Sequence, residues 1–416
     1  MLFKRLLFTI TLAEMFLLGP VRAQISHAVL YASAGAVLTQ YDVDAQAASL
    51  VKKSSVRLPA NVQYVWQHPS RKYLYVAWSD GGAAAAAVGS TAVPSGKNHG
   101  VSAFRIDPSS GALQPIGKSV ALPARPIHLS VDITGTHVLV AFNIPSSISV
   151  YQLNPDGTIG ALVKQPSTLD TGIYAHQVRV NPSNKTVFLV TRGNGPTKDK
   201  PEDRGAVKVF SYADGVLKNL ASIAPNGGVN FQPRHLDFHP SQPWVFLSLE
   251  RQTQLQVYHM TKDGSLDALP LFTKDSVANP AKKAPLQNSG TVHVHPNGKF
   301  VYQATRSAGS DASGKASFGG GENSIAVYAI NQKTGEPTLL QNADTRGAEP
   351  RTFALDPSAQ VLVAGNQTAI SAGSKTIPAS LAVFRVRTDG KLDFVRKYDV
   401  DTSGGSLFWM GIVPLP

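Results

Sequence analysis

Short apolar runs that alternate with polar residues, and that tight turns separate, recur along the whole chain. The clearest example lies at 231–258, where Leu236 and Phe238 alternate with polar residues before the turn His239-Pro240-Ser241-Gln242. An apolar run from Trp244 to Leu249 follows the turn. Alternation with a period of two, interrupted by a tight turn, predicts two antiparallel strands joined as a hairpin.

The ends of this predicted hairpin carry charged and titratable residues. Arg234 and His235 come just before its first strand, and Glu250 comes where its second strand ends. Antiparallel pairing brings the start of one strand beside the end of the next. We therefore expect these three side chains to lie on one rim.

Six turns of this kind mark a repeating unit. Their second residues fall at 69, 133, 182, 240, 296 and 357, so the unit recurs about every 50 to 65 residues. Each unit continues with two more strands, for example 100–106 and 113–122 in one unit and 147–153 and 159–163 in the next. Four strands per unit, which we label A to D from the axis outward, are typical of a β-propeller blade.

The two ends of the chain predict a seventh blade. Residues 27–32, 37–43 and 50–58 have the pattern of strands B, C and D in a unit that lacks strand A. The last apolar run, Ser406 to Val413, has no partner of its own; as strand A of this unit it would close the ring and remove a sheet edge. The sequence therefore predicts an all-β, seven-bladed propeller of four-stranded antiparallel blades, forming one domain over 24–416.

Loop length distinguishes the two faces of the predicted ring. The connections between strands B and C are long at 80–99, 194–205, 307–323 and 368–379, and they are rich in Gly, Ala and Ser. Strand alternation puts these loops on the same face as the starts of strands A and the ends of strands B. Sites are usually built where long loops leave a rigid scaffold. The alanine-rich run at 82–88 is instead expected to be a loop insertion without a functional role.

Residues 1–23 have the features of a secretory signal peptide. Lys4 and Arg5 precede a mainly apolar run, and Val21-Arg22-Ala23 resembles a cleavage site before Gln24. The alternative, a membrane anchor, is disfavoured by Glu14 and by the shortness of the apolar run. We expect an exported protein, periplasmic or secreted, with no membrane span after cleavage. The chain has no cysteine, which excludes disulfides and thiolate catalysis.

Charge and composition limit the partners. The formal charge is +12, and it falls to +10 without residues 1–23, which hold three basic residues and one acidic residue. This balance favours an anionic small molecule, with simple solubility as the alternative. No basic cluster with interleaved aromatics points to nucleic acid. No metal-ligand spacing or nucleotide fingerprint occurs, so we expect no metal and no cofactor. We also expect a monomer.

The residues that start strands A and end strands B define the candidate site, because they share the face of the long loops. They are mostly arginine and histidine, with Glu250 as the single carboxylate, which suits a pocket that binds an anion or stabilises an oxyanion. The starts of strands A are Arg125, His128, His176, Arg234, His235 and Arg351. The ends of strands B are Trp78, Asn143, Arg192, Glu250, Arg306, Asn366 and Gln367.

The sequence PRHLDFHP at 233–240, followed by a strand that ends in Glu250, resembles the seven-bladed β-propeller lactonases, as does AHQV at 175–178. That family includes propeller-type 6-phosphogluconolactonases and carboxymuconate-cyclising enzymes. The resemblance covers nearly the whole chain after residue 23. It implies that four residues are catalytic: His176, Arg234, Glu250 and Arg306. The chain departs from the family at Ile173-Tyr174, where Pro-His is usual, and at Ala304-Thr305, where Ser-Asn is usual.

The resemblance implies hydrolysis of an anionic or sugar-derived lactone. Glu250, or His176 through a water, would act as the base, while Arg234 and Arg306 would bind the substrate anion and stabilise the oxyanion. Five further residues are candidates for substrate binding: His235, Arg351, Arg192, His128 and Asn143. A structural salt bridge between Glu250 and Arg234 is the alternative for that pair, and bridging between blades is the alternative for the other arginines.

Two other functions stay open at this point. The first is a non-catalytic propeller that binds a ligand or a protein, because a fold does not determine a function. The second is a cycloisomerase or lyase that uses the same arginines on an unsaturated dicarboxylate.

Overall fold

The repeated hairpins arrange as seven four-stranded antiparallel sheets. The structure is a computed structural model that describes residues 27–81, 96–307, 309–310, 316–317, 320–372 and 374–416. The predicted all-β, seven-bladed fold is confirmed. The candidate signal peptide and the alanine-rich run lie outside the described residues.

Each blade contains four strands, which follow in the order A, B, C and D from the axis outward. Blade 1 contains Met410–Pro414, Ala28–Ala34, Val37–Asp44 and Ser49–Arg57. Blade 2 contains Asn61–Gln67, Tyr73–Ser79, His99–Ile106 and Leu113–Ala121, and blade 3 contains Pro126–Val131, His137–Asn143, Ser146–Leu153 and Ile159–Leu162. Blade 4 contains Ala175–Val180, Thr186–Thr191, Ala206–Ala213 and Val216–Ile223, and blade 5 contains Pro233–Phe238, Trp244–Leu249, Gln254–His259 and Phe272–Asp275. Blade 6 contains Asn288–Val294, Phe300–Arg306, Ser324–Ile330 and Pro337–Asp344, and blade 7 contains Pro350–Leu355, Val361–Asn366, Ser380–Val386 and Leu392–Asp399.

Blade 1 joins the two ends of the chain. Strand Met410–Pro414 pairs antiparallel with Ala28–Ala34, with Val413 opposite Val29. This strand begins later than the sequence pattern suggests, since the apolar run starts near Ser406. The preceding residues still contact the blade, because the Ser33 amide donates to the Trp409 carbonyl at 2.8 Å. Two segments that are far apart in the sequence thus share one sheet, and Ala28–Ala34 is paired on both sides instead of being an edge strand.

The apolar faces of neighbouring blades pack against each other around the ring. One cluster joins Tyr31 of blade 1 to Val76 of blade 2 and to Trp409, all of which are buried. Further clusters of the same kind link the other neighbours, such as Phe188 of blade 4 with Leu247 of blade 5. Burial of each large apolar side chain contributes about 1.5–3 kcal/mol. The stacked blades therefore form a rigid wall around the axis.

The turns between strands A and B lie on what we call the lower face. The last residue of five of these turns has a left-handed conformation, with φ between 53° and 74°; these residues are Arg71, Gly135, Asn184, Gly298 and Ala359. Histidine caps some of the turns, as in the turns that begin at His239 and His295. The Nδ1 atom of His239 accepts from the Gln242 amide at 3.0 Å, and that of His295 accepts from the Asn297 amide at 3.1 Å.

Two of the long B-to-C connections contain regular structure among their described residues. They carry the short strands Gly309–Ser310 and Ala316–Ser317 of blade 6, and Ile370–Ala372 and Lys375–Ile377 of blade 7. These strands form one additional small sheet through a parallel bridge between Ser317 and Ser371. The expectation of plain loops in these two blades was wrong, because backbone pairing between two connections leaves no pattern in either one alone.

Helical structure is minor in the part of the chain that the structure describes. Two short 3-10 helices, Pro225–Gly228 and Pro280–Lys282, precede strand A of blades 5 and 6. Among the described residues, no helix combines the length and apolar character needed to cross a membrane.

Candidate active site

A bulge recurs near the start of strand A in blades 2 to 7. In each of these strands the pairing with strand B shifts by one residue, for example between Pro233 and His235 in blade 5. A bulge leaves one residue outside the ladder and turns its side chain in a new direction. In five blades a single residue is left out in this way: Gln63, Ile127, His176, Arg234 and Arg351.

These bulges lie at the upper face, which we define as the face with the starts of strands A and the ends of strands B. Pro233 at the start of strand A is paired with Leu249 at the end of strand B, which places Arg234 and Glu250 side by side. Arg234 and His235 are therefore part of strand A, and the expectation that they precede it was wrong, because the strand begins at Pro233. Their placement on one rim with Glu250 agrees with the prediction from antiparallel pairing.

Glu250 is the centre of an arginine cluster. Its Oε2 accepts from Nη1 of Arg192 at 2.6 Å, and its Oε1 accepts from Nη2 of Arg306 at 2.5 Å. Nε of Arg234 lies 3.5 Å from the same Oε1. Burial alone would raise the pKa of Glu250, but the three arginines outweigh burial and hold the pKa of this carboxyl well below its usual range. Glu250 is therefore an anion that ties three blades together.

Arg234 is the most deeply buried member of this cluster. Its side chain is 1% exposed, and its Nε and Nη1 have no hydrogen-bond acceptor among the described residues. Burial, with the charge of Arg306 next in size, lowers the pKa of Arg234 to about 10 despite the neighbouring Glu250. The salt bridge between Arg234 and Glu250, which was the structural alternative for this pair, exists, but Glu250 makes its shorter contacts to the other two arginines.

A second carboxylate joins the cluster, so the expectation of a single one was wrong. Oε1 of Glu349 lies 3.6 Å from Nη1 of Arg306. Glu349 directly precedes strand A of blade 7 and has a φ of 52°, a left-handed conformation that is costly for a residue with a side chain. Its amide donates to Oδ1 of Asn323 at 2.8 Å, which helps to hold this conformation.

Two more arginines stack on one aromatic ring. The guanidinium of Arg351 lies 3.9 Å from the ring centre of Phe408, and that of Arg125 lies 5.9 Å from it. Nε of Arg125 also donates to Oε1 of Gln63 at 2.9 Å. Arg351 forms no ion pair with any described residue. Its guanidinium is thus held by stacking while its charge stays available to a ligand.

These side chains surround a pocket of about 140 Å³ at the upper face. Its lining consists of Arg125, Ile127, Tyr174, His176, Arg192, Glu250, Arg306, Glu349, Arg351, Gln367 and Phe408. With Arg234 beside Glu250, five arginines face two glutamates, which leaves an excess of three positive charges. Such a volume and charge suit a small anionic molecule.

Three histidines lie at and beneath the pocket. His176 lines it, and the ring of His235 lies 5.1 Å from the ring of His176. Burial, and after it the charge of Arg234, lowers the pKa of His176 and of His235 well below the ordinary value of 6.5. Burial and Arg179 do the same to the pKa of His128. All three imidazoles are therefore neutral at neutral pH and keep a lone pair that can accept a proton.

The predicted site residues fall into three groups. His176, Arg192, Glu250, Arg306 and Arg351 line the pocket. Arg234, His235 and His128 are buried beneath it and do not line it. Asn143 is buried and also absent from the lining, so nothing in the geometry brings it to a ligand in this pocket.

The sequence did not predict three polar or aromatic pocket residues, namely Tyr174, Glu349 and Phe408, nor the aliphatic Ile127. The first two come one residue before a strand A, and Phe408 comes before the last strand, so a search limited to strand ends passes over them. Tyr174 stacks on Arg192 at 4.2 Å and has a φ of 59°. A non-glycine residue in a left-handed conformation beside a charged pocket is a structural signal that sequence alone does not give.

A larger cleft of about 630 Å³ lies at the edge of the upper face, beside Asn323 and Arg346. Its charged pair, Arg346 and Asp344, is 59% and 62% exposed and 3.5 Å apart. Exposed pairs are screened by water and have little power to orient a ligand. The smaller arginine-rich pocket is therefore the better candidate. Among the described residues, no group of three or more His, Asp or Glu side chains is placed to hold a metal ion.

The comparisons with known proteins agree with this architecture. The family described as "Lactonase, 7-bladed beta-propeller" matches residues 26–404. The 6-phosphogluconolactonase of Bacillus subtilis is 28% identical over 273 residues, which cover 64% of this chain and 70% of that protein. The 6-phosphogluconolactonase of Pectobacterium atrosepticum is 24% identical over 368 residues, which cover 88% and 92%. The solved structure of the periplasmic gluconolactonase PpgL of Pseudomonas aeruginosa has a TM-score of 0.67 at 21% identity, covering 94% of this chain and 100% of that one.

Proposed function

Because this chain belongs to the seven-bladed β-propeller lactonase family, we propose that it hydrolyses a small anionic or sugar-derived lactone in the upper-face pocket. The observation that carries the proposal is the excess of three positive charges around a pocket of about 140 Å³, next to neutral His176. Relatives named 6-phosphogluconolactonase and gluconolactonase support a sugar-acid lactone.

Arg351 is the residue assigned to the anionic group of the substrate. It lines the pocket, stacks on Phe408 and has no carboxylate partner among the described residues. Arg125, on the same ring, supplies a second charge nearby. Guanidinium groups held in fixed orientations bind a carboxylate or a phosphate through two parallel hydrogen bonds.

His176 is the better base of the two candidates. Glu250 carries three arginine contacts that stabilise its charge, so its affinity for a proton is low. His176 is neutral, lines the pocket, and its Nδ1 has no hydrogen-bond partner among the described residues. A bound substrate anion offsets the arginine charges and makes protonation of His176 easier.

In the proposed reaction His176 removes a proton from water, and the water oxygen attacks the lactone carbonyl carbon. The carbonyl oxygen becomes an oxyanion next to Arg192 and Arg306, which Glu250 holds in place. The intermediate then breaks the ring carbon–oxygen bond, and the imidazolium of His176 gives its proton to the departing alkoxide. The product is a hydroxy acid, which ionises and releases one proton per turnover.

The experiment is a lactone panel followed by proton release with a pH indicator. Glucono-1,5-lactone, its 6-phosphate and the uncharged δ-valerolactone separate the sugar and charge requirements. His176→Asn should lower kcat by roughly 10²- to 10⁴-fold, the usual contribution of a general base. His259→Asn is the matched control, because His259 is 42% exposed at the end of strand C in blade 5.

The alternatives give different results in the same assay. Consumption of an unsaturated dicarboxylate without lactone hydrolysis would establish a cycloisomerase or lyase. Calorimetric binding of a lactone without turnover would establish a binding propeller. Equal turnover by the wild type and His176→Asn would remove His176 from the mechanism while leaving lactonase activity in place.

Export is part of the proposal. The signal-like residues 1–23 support it, and so does the name of the periplasmic Pseudomonas protein that shares the fold. The mature protein is expected to begin at Gln24. Mass spectrometry of the protein from the cell envelope and medium decides this, since an intact Met1 in those fractions would contradict cleavage.

A further inference from the structure

The three histidines continue from the pocket along the axis of the ring. The ring centres of His176 and His235 are 5.1 Å apart, and those of His235 and His128 are 5.7 Å apart. The residues are 5%, 2% and 0% exposed in the same order from the pocket inward. We call this set the axial histidines. They come from strands A of blades 4, 5 and 3, so each is fixed by a different sheet.

The axial histidines have buried nitrogens without protein partners. These atoms are Nδ1 and Nε2 of His128, Nδ1 of His176 and Nδ1 of His235, and no described residue forms a hydrogen bond to them. A neutral imidazole needs one acceptor for its N–H and one donor for its lone pair. Leaving a buried polar atom unpaired costs about 1–3 kcal/mol. Ordered water is the ordinary way in which such sites are satisfied.

The inner end of the axial histidines meets a second, more open set of polar groups. Tyr64 stacks on His128, with ring centres 3.8 Å apart, and is half-buried. Burial raises the pKa of its hydroxyl to about 12, and both Arg179 and Asp237 are close enough to affect that pKa. Asp237 pairs with Arg179 at 3.3 Å and with His293 at 3.6 Å.

Asp237 and His293 are accessible to solvent. Their side chains are 17% and 33% exposed, whereas the axial histidines are almost fully covered. Arg179, which pairs with Asp237, also lines a cavity of about 240 Å³ that includes His68 and Pro69 of a lower-face turn. Titratable groups thus run from the pocket on the upper face to the side of the ring where the turns lie.

Lactone hydrolysis at neutral pH makes such a connection useful. Each turnover produces one proton in a pocket lined by arginines, which repel a hydronium ion on the way out through the upper face. Neutral imidazoles can pass a proton by accepting it on one nitrogen and releasing another from the second nitrogen. No imidazole has to stay charged in this process.

Resting on the lactonase function above, we propose that the axial histidines, joined by ordered water, relay the product proton from the pocket to Asp237 and His293 on the lower side of the ring. His176 has both roles, as base and as the first member of the relay. His235 and His128 touch no substrate and act only on the proton. The cations that face the relay are Arg192, Arg234 and Arg351 near its upper end and Arg179 near its lower end.

The first test needs no substrate. Histidine side-chain ¹⁵N NMR reports the tautomer of each ring and the hydrogen bonds of its N–H. His235→Phe removes the middle of the relay and keeps an aromatic ring of similar size. The relay requires that this substitution change the tautomer or N–H exchange of both His176 and His128. Unaltered signals for both histidines in a folded variant would overturn the connection.

The second test uses the best substrate from the lactone panel. His128→Phe should lower kcat by roughly tenfold or more with little change in KM, and should increase the solvent deuterium isotope effect on kcat. His239→Asn is the control, a buried histidine that caps a lower-face turn outside the axis. A kcat within twofold of the wild type in His128→Phe would overturn the relay. If the wild type hydrolyses no lactone, the proposed function fails, and the NMR test alone decides whether the histidines are linked.

Discussion

Lowering the pH from 7.5 to 5.5 is expected to destabilise the folded protein, because the axial histidines resist protonation. Burial holds the pKa of His128, His176 and His235 well below 6.5 in the folded state. In the unfolded chain each of them titrates near 6.5. The unfolded state therefore binds more protons as the pH falls, and the free energy of unfolding decreases with it.

The expected loss follows from the number of histidines. One unit below the unfolded pKa, a histidine that stays neutral in the folded protein costs about 1.4 kcal/mol. Three such groups give about 4 kcal/mol at pH 5.5, a large part of a typical stability of about 5–15 kcal/mol. Glu250 does not contribute in this window. Its folded pKa is lowered, so its stabilising effect is lost only when the pH falls below its unfolded value of 4.5.

Urea unfolding followed by tryptophan fluorescence at several pH values measures this loss. His128→Asn removes one titrating group, so its loss between pH 7.5 and 5.5 should be about 1.4 kcal/mol smaller than that of the wild type. Buried histidines elsewhere, such as His239 and His295, contribute equally to both proteins, so their effects cancel in the comparison. An equal loss in His128→Asn and the wild type would refute the reasoning, because it would mean that His128 is protonated or solvated in the folded state.

Three further predictions concern binding and stability. Arg351→Lys should raise KM for an anionic lactone about tenfold, because lysine lacks the planar fork that stacks on Phe408, and an unchanged KM measured by proton release would contradict the assignment. Deleting 404–416 should lower the free energy of unfolding by about 6–12 kcal/mol and abolish cooperative thermal unfolding, because it removes four buried apolar side chains: Leu407, Trp409, Met410 and Val413. A melting temperature like that of the full chain would show that blade 1 does not need its last strand. Ala359→Gly should raise the free energy of unfolding by about 1 kcal/mol, because φ is 53° at this turn and glycine adopts this conformation without strain. The control Ala161→Gly, at an exposed strand position, should lower the free energy of unfolding. Urea unfolding of both variants tests whether the two changes have opposite signs.

The sequence predicted the ring because its information is periodic. Each A-to-B turn, such as His239 to Gln242, interrupts an alternating run, and these turns recur at similar intervals. Few folds other than a propeller can accommodate seven repeated units of four short strands. The rim positions of Glu250, Arg306 and Arg192 followed from antiparallel pairing alone. Pairing between the ends of the chain could also be inferred, because the last apolar strand had no partner and the first blade lacked one strand.

The site itself was only partly predictable. The bulge that turns Arg234 out of the ladder adds one residue without any mark in the sequence, so its depth beneath the pocket could not be foreseen. Glu349 pairs with Arg306 while its backbone has a φ of 52°, and no local sequence pattern predicts this conformation. The choice between His176 and Glu250 as base depends on the three arginines around the carboxylate, and their distances exist only in the folded ring.

The bulges also bear on how such a protein can acquire new substrates. A residue that lies outside the ladder, such as Arg351 or Ile127, can be exchanged without breaking a hydrogen bond of its sheet. Five blades offer such a position around one opening, and the sheets below them keep the same pairing whatever side chain is chosen. The ring is thus a suitable scaffold for combinatorial mutant libraries. Such libraries would vary substrate specificity at these few positions, while the pairing of the sheets maintains stability.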